Sequence, residues 1–291
     1  MKAVSQESAE VTGSTAAKGS KRVTQGGVLL GIGLAMLATM LIVTIFAPFI
    51  APFDPSATSP DSLAAASARH WLGTDSIGRD VLSRLIVGGR TTLLITITAV
   101  FIALVGGLVL GLLSGYLGGF VDDAIMRVLD VVFAFPVLLL AIAVVAALGP
   151  TVPNLILTIA IVYTPAMARV VRAPVLSVKQ WDHVEAARSI GMSEFRLVLR
   201  HILPIVVSPI LVATSLTLSQ TIFTVTALSF LGLGPPPPDP NWGGMLSEAR
   251  QFMELAPLTV IGPAAAIVFA TLTFIVLANG LREVLDVGSS R

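Results

Sequence analysis

Cysteine is absent from the 291 residues, and charge is scarce: Asp, Glu, Lys and Arg make up only 12% of the chain, well below the ~25% usual for soluble domains. Without Cys there is no disulfide framework, no thiol nucleophile and no Cys-based zinc or iron–sulfur site. With Lys+Arg at 18 and Asp+Glu at 17 the formal charge is +1, which supplies no basic field for nucleic acid or an acidic lipid surface. A phosphate-binding loop is missing too. It needs a Gly-rich turn followed by Lys and Ser or Thr, and none of Lys2, Lys18, Lys21 and Lys179 stands in that context. Apolar residues are abundant: 55% of the chain is hydrophobic, with a mean hydropathy of +0.90. They fall in runs too long for one core, so the chain is an integral membrane protein with α-helical spans.

Residues 1–24 are rich in Ser, Ala, Lys and Glu without apolar periodicity and are expected to form a disordered tail. An apolar run over 25–52 follows Lys18, Lys21 and Arg22; it exceeds a signal-peptide core of roughly 7–15 residues, so it is expected to span. Further spans are expected over 93–117, 124–148, 154–171, 205–231 and 258–280, six in all. Small residues such as Gly106, Gly107, Gly111 and Gly115 permit close helix packing in lipid. Barrel strands are a poor alternative, because these segments are continuously apolar rather than alternating. The Lys and Arg distribution favours an inside N-terminus and an inside C-terminus. Of the basic residues only Arg69, Arg79, Arg84, Arg90 and Arg250 then lie outside. Residues 93–282 form a five-helix core, and 283–291 a cytoplasmic tail.

Two outer segments are long. In 53–92, Asp80-Val81-Leu82-Ser83-Arg84-Leu85-Ile86 has the pattern of a short interfacial amphipathic helix. In 232–257, Pro235 to Pro238 form an extended polyproline stretch, followed by a turn at Asp239-Pro240-Asn241-Trp242-Gly243-Gly244. Reading that stretch as a cytosolic proline-motif ligand would put it on the wrong side of the membrane. Asp75, Arg79 and Asp80 either face an outer partner or order the loop. Trp242 suits the headgroup level, with substrate contact as the alternative.

Apolar spans exclude as well as permit. The third carries Arg127 and Asp130, three apart on one helical face near its inner end, which suit an i,i+3 ion pair or a proton relay. The others hold no Asp, Glu or His in their apolar interiors, so transport driven by this chain must draw its energy from a partner. A passive channel is the rival of another class, although no filter-like motif is present; a structural membrane subunit is a further one. Pro136 and Pro165 are candidate kinks facing a pathway or plain packing positions, and Asn154 and Asn279 carry no assignment.

The elaborate inner loop is 173–204. Asp182-His183-Val184-Glu185 has capping-box spacing, and Gly191 suits a left-handed helix stop, predicting a helix over 182–190. A second helix is expected from Ser193 until Pro204 breaks it. A helix-turn-helix reading is disfavoured because DNA recognition needs a free second helix, and here that helix is tethered to the next span. Ala186 and Ala187 leave room for another protein to approach, so the first helix reads as a docking helix whose turn passes displacement into span five. The alternative is a plain connector.

Glu185-Ala186-Ala187, three residues, Gly191, nine residues, then His201-Ile202-Leu203-Pro204 resembles the EAA loop of ABC importer permeases. His201 stands where the general pattern has Ile, and the peptide/nickel branch often has His-Ile-Leu-Pro. Leu72-Gly73-Thr74-Asp75, Gly78 to Leu85, Met126 to Asp130, and Phe230-Leu231-Gly232-Leu233-Gly234 with Trp242-Gly243 are similar to the same branch. The nearest resemblance is to the C-type permease of oligopeptide and dipeptide importers, and more distantly to nickel permeases. It implies the type I ABC importer permease fold in a prokaryotic cytoplasmic (inner) membrane. It also implies a similar B-type permease, two cytoplasmic ATP-binding subunits and an extracytoplasmic binding protein as partners, besides lipid. Asp182, Glu185, Ala186, Ala187, Gly191, Leu203 and Pro204 would seat in an ATPase, while Asp75, Arg79, Asp80 and Trp242 would face the binding protein. The chain itself would hold no cofactor and perform no catalysis, ATP and Mg²⁺ being bound by partners. Nickel or a metal chelate is the alternative cargo; His70 with no His or Cys cluster favours peptide only mildly.

Overall fold

The computed structural model describes residues 26–289, and side chains to 285; the tail expected over 1–24 lies outside the described residues. The order is α1 (Gly26–Ile45), α2 (Ala47–Ile50), α3 (Val81–Leu117), α4 (Gly119–Phe133), α5 (Val137–Leu148), α6 (Val152–Val178), α7 (Asp182–Ser189), α8 (Glu194–Leu197), a π-turn (Val198–Ile202), α9 (Leu203–Phe230), α10 (Trp242–Ala249), a 3₁₀ turn (Arg250–Phe252) and α11 (Leu258–Ser289). No strand is present among the described residues. Among the described residues five helices are long and apolar enough to cross a membrane, and the pair α4–α5 makes a sixth span if its two arms, bent by 86°, count as one.

Several boundaries differ from the sequence expectation. The interfacial helix expected at Asp80–Ile86 is the opening of α3. Asp80 caps it, accepting from the Ser83 N–H at 2.8 Å and its hydroxyl at 2.7 Å, and no Pro interrupts the run that follows, so α3 continues for 37 residues. The third span is broken where Pro136 supplies no N–H and becomes the N-cap of α5. α11 continues as helix through Ser289, past the span end expected at 280 and into the residues read as a cytoplasmic tail.

Close backbone approach organises the bundle. A Cβ on Gly107 would lie 2.3 Å from the Met167 Cβ, and one on Gly111 would lie 2.5 Å from the Ala168 carbonyl, so these glycines let α3 and α6 meet without intervening side chains. α1 crosses α11 in the same way, Gly280 opposing Leu30 and Gly33 opposing Leu277. Three apolar clusters result. One centres on Ile95, Leu155, Ile159 and Leu228, and a second joins Leu93, Ile222, Trp242 and Phe274. The third, beside the inner loop over 173–204, gathers Val171, Val175, Val184, Ala187, Leu197 and Ile202.

Candidate functional site

The inner loop is a rigid hairpin seated on the bundle. α7 ends in a paired-bond stop: Gly191, at φ +83°, donates its N–H to the Arg188 carbonyl at 3.0 Å and Met192 donates to that of Ala187 at 3.3 Å. Its start differs from the capping box read in the sequence. Trp181 is the N-cap, no side chain caps the helix, and the Glu185 N–H goes to the Trp181 carbonyl at 3.1 Å. Asp182 and Glu185 are therefore solvent-exposed acids in the first turn. The alanine pair also splits. Ala186 is exposed, whereas Ala187 is buried with Val184 in the chain's own cluster, because neighbours in a helix point about 100° apart.

Arg188 fastens the end of α7, donating to the Tyr116 hydroxyl of α3 at 3.2 Å and lying 3.8 Å from Glu194. Around this anchored loop Ile190 is 82% exposed, Phe195 77% and Trp181 45%. Such an apolar group in water marks a surface for another protein. Pro204 does not break the chain as expected. The π-turn lets the Leu203 N–H reach the Val198 carbonyl, so the register shifts and one helix continues from Glu194 to Phe230. Leu203 is half-buried and Pro204 exposed beside that turn.

The charged pair of span three is rearranged. Asp130 accepts from Arg169 of α6 at 2.5 Å, with the Arg169 guanidinium 3.9 Å from the Phe133 ring centre; Arg127 forms no ion pair among the described residues. A stronger tie lies below it. Asp122 takes two bonds from Arg172, at 2.6 and 2.5 Å, and one from the Ser114 hydroxyl at 2.6 Å, joining α3, α4 and α6.

At the opposite end, the residues expected to face a binding protein point inward. Asp80 holds His70 at 2.9 Å. Arg79 reaches Asp75 and Glu248, both at 2.6 Å, and Arg84 reaches the same Glu248 at 3.0 Å. Arg79 and Asp80 are buried and Asp75 half-buried, so the cluster clamps residues 53–80 onto α10. Trp242 is buried rather than interfacial. Its indole N–H donates to the Leu85 carbonyl at 2.9 Å, and the ring fills the slot left by Gly89. Pattern reading named Asp75 and Arg79 but not Arg84 or Glu248 as their partners, because Glu248 lies far along the chain. Gln220, the one carboxamide of α9, carries no spacing or charge signal that marks it in the sequence.

Residues 107–290 match the family model for the binding-protein-dependent transport system inner membrane component. The chain belongs to that family. Residues 30–66 match the N-terminal transmembrane domain of oligopeptide transport permease C, which places the permease in the peptide/nickel branch. It is 48% identical over 249 residues to the glutathione transport system permease protein GsiD of Escherichia coli O6:K15:H31, covering 85% of this chain and 82% of that one. To GsiD of Shigella flexneri serotype 5b it is 49% identical over the same shares. Among solved structures, the inward-facing MetNI methionine ABC transporter matches with a TM-score of 0.56 at 18% identity, over 70% of this chain and 96% of that one. An amino acid ABC transporter crystallised with histidines matches at 0.52 and 22% identity, over 68% and 92%. These two establish the fold: a type I ABC importer permease. The chain is a multi-pass inner-membrane permease subunit of an ABC importer, which works with ATPase and substrate-binding partners.

Proposed function

We propose that this permease is the C-type subunit of an importer for short peptides, pairing with a B-type permease to form an alternating-access pathway. Two cytoplasmic ATPases dock on α7, ATP and Mg²⁺ bind in those subunits, and an extracytoplasmic binding protein delivers cargo. The permease chain performs no covalent chemistry. The observation that carries this reading is the exposed group Trp181, Ile190 and Phe195 on a loop bolted to α3 and continuous with α9. An apolar surface so rigidly joined to a span suits a partner that pushes. Exposed Asp182, Glu185 and Ala186 border it and offer charge pairing and close approach. Peptide is favoured as cargo because the relatives are named for glutathione, a tripeptide.

Affinity purification of the tagged permease from its native membrane, followed by ATPase assay, tests this. A co-purifying ATPase and second permease, with turnover raised by peptide plus binding protein, is the expected result. A chain that emerges alone and supports nucleotide-independent flux would refute it in favour of a passive channel.

A further inference from the structure

α9 carries seven buried hydroxyl residues, among them Ser215, Thr221, Thr224 and Ser229. Its one carboxamide is not among the buried side chains. Gln220 is exposed; its carbonyl accepts from the Thr224 hydroxyl at 3.1 Å, and its side-chain amide has no hydrogen-bond partner among the described residues. It sits between Leu216 and Phe223, 41% and 67% exposed. An amide with two donors and an acceptor is strongly disfavoured in hydrocarbon without partners.

Two concavities extend the same face in opposite directions. A 400 Å³ cavity is lined by Ile205, Pro209, Val212 and Leu216 of α9 with Leu285 of α11. A 690 Å³ cavity is lined by Phe223, Thr226 and Phe230 of α9 with Leu138 of α5 and Val268 of α11. Their α9 residues recur every three or four positions and so form one stripe, with Gln220 between them. Leu138 brings in a second observation: it follows the break between α4 and α5, where Ala134 to Pro136 are exposed. Non-helical backbone at membrane depth is tolerated only against protein or a water-filled cavity. Both features turn this face away from lipid.

We propose that the Leu216–Gln220–Phe223 stripe is this permease's wall of the translocation pathway, and that Gln220 hydrogen-bonds the backbone of the peptide in transit. This rests on the peptide reading above. Small-ligand sites are mostly apolar, with a few placed polar groups, and that is the composition here. A helix of the partner permease has its backbone bonds already made, whereas an extended peptide offers free N–H and C=O groups. An uncharged amide serves either kind and is indifferent to the cargo's side chains.

Because the chain has no Cys, Gln220→Cys introduces its sole thiol. In proteoliposomes holding the complete transporter, a charged, membrane-impermeant maleimide is expected to label this thiol in one nucleotide state, and trialanine to slow the labelling. Gln220→Leu should lower uptake of S-methylglutathione and trialanine roughly tenfold, the worth of one hydrogen bond, mainly through KM, in complexes assembled to the wild-type amount, with Gln220→Asn partly restoring it. Labelling by lipid-soluble reagents alone, a peptide-insensitive cross-link to the partner permease, or unchanged uptake by Gln220→Leu would each overturn the proposal. If the wild-type complex takes up neither probe, the peptide reading fails and the peptide bond to Gln220 with it. Nucleotide-dependent labelling by the charged reagent would still place α9 in the pathway, so the two failures are distinguishable.

Discussion

Gly191 offers a test in which strain and contact separate cleanly. Its φ is +83°, and no heavy atom lies within 4 Å of the place a Cβ would occupy. A substitution therefore meets no neighbour among the described residues, and its cost is backbone strain alone. For an L-residue such as Ala the left-handed region costs about 1–2 kcal/mol, and for a β-branched residue about 2–3 kcal/mol. A cost of ~2 kcal/mol shifts a local equilibrium about 30-fold, enough to open the stop at Ala187 and Arg188 and displace Ile190. Asn tolerates this conformation. Peptide uptake by proteoliposomes should therefore fall in the order Gly, Asn, Ala, Val, with Gly191→Val at least tenfold down and the amount of inserted permease unchanged. ATPase activity measured alongside should lose its dependence on peptide. Wild-type uptake by Gly191→Val would refute the need for the turn. Equal damage from Asn and Val would refute strain and assign Gly191 to a contact surface.

Three further perturbations probe other joints. Ala187→Glu forces a carboxylate into the cluster of Val184, Leu197 and Ile202; unpaired burial costs several kcal/mol, so uptake should be lost with the spans still inserted, and full transport would exclude α7 as a packed docking element. Glu248→Ala leaves the 3%-exposed Arg84 side chain and Arg79 to share Asp75. With the Glu248 side chain 36% exposed the cost is discounted to about 2 kcal/mol, visible as a fall of several degrees in the Tm of the purified complex; an unchanged Tm would show that the clamp does not hold. Asp130 and Arg169 are 59% and 41% exposed, a pair worth about 0–1 kcal/mol. Asp130→Arg with Arg169→Asp should retain uptake, as should Arg127→Ala; loss with normal assembly would make span three's charges mechanistic.

Hydropathy alone located the spans, because ~20 apolar residues leave few other folds, and Gly191 was legible because a left-handed stop has few occupants. Local rules failed where a distant partner was better placed. The i,i+3 spacing of Arg127 and Asp130 is overridden by Arg169 from another helix, and the Asp182–Glu185 spacing is overridden by the entry angle that makes Trp181 the cap. Trp242 has a headgroup-level composition around it, yet the gap at Gly89 that buries it exists only once α3 and α10 meet. Pro204 reads as a breaker on its missing N–H, and the π-turn that absorbs the loss depends on where Leu203 can reach.

That absorbed proline bears directly on how force could travel. From Glu194 to Phe230 the helix runs 37 residues, about 55 Å at 1.5 Å per residue. Its inner end is wedged beside Ala187 through Leu197, and Gln220 lies about 39 Å along it. Had Pro204 ended the helix, motion at α7 would have dissipated in a joint before reaching the membrane. A wide turn instead keeps the backbone bonded through Leu203 while allowing a local change of twist, as π-bulges do. On the proposed docking of an ATPase at α7, a small rotation of the loop about α3 would turn the whole α9 face, moving Leu216, Gln220 and Phe223 together. Coupling of this kind needs no titrating group within the spans, in accord with their near lack of charge. It also requires that stiffness of the turn matter more than its side chains: replacing exposed Leu199 by Ala should leave uptake intact, whereas Gly inserted after Val198 should uncouple ATP hydrolysis from uptake. Equal transport by both variants would show that α9 does not carry the stroke.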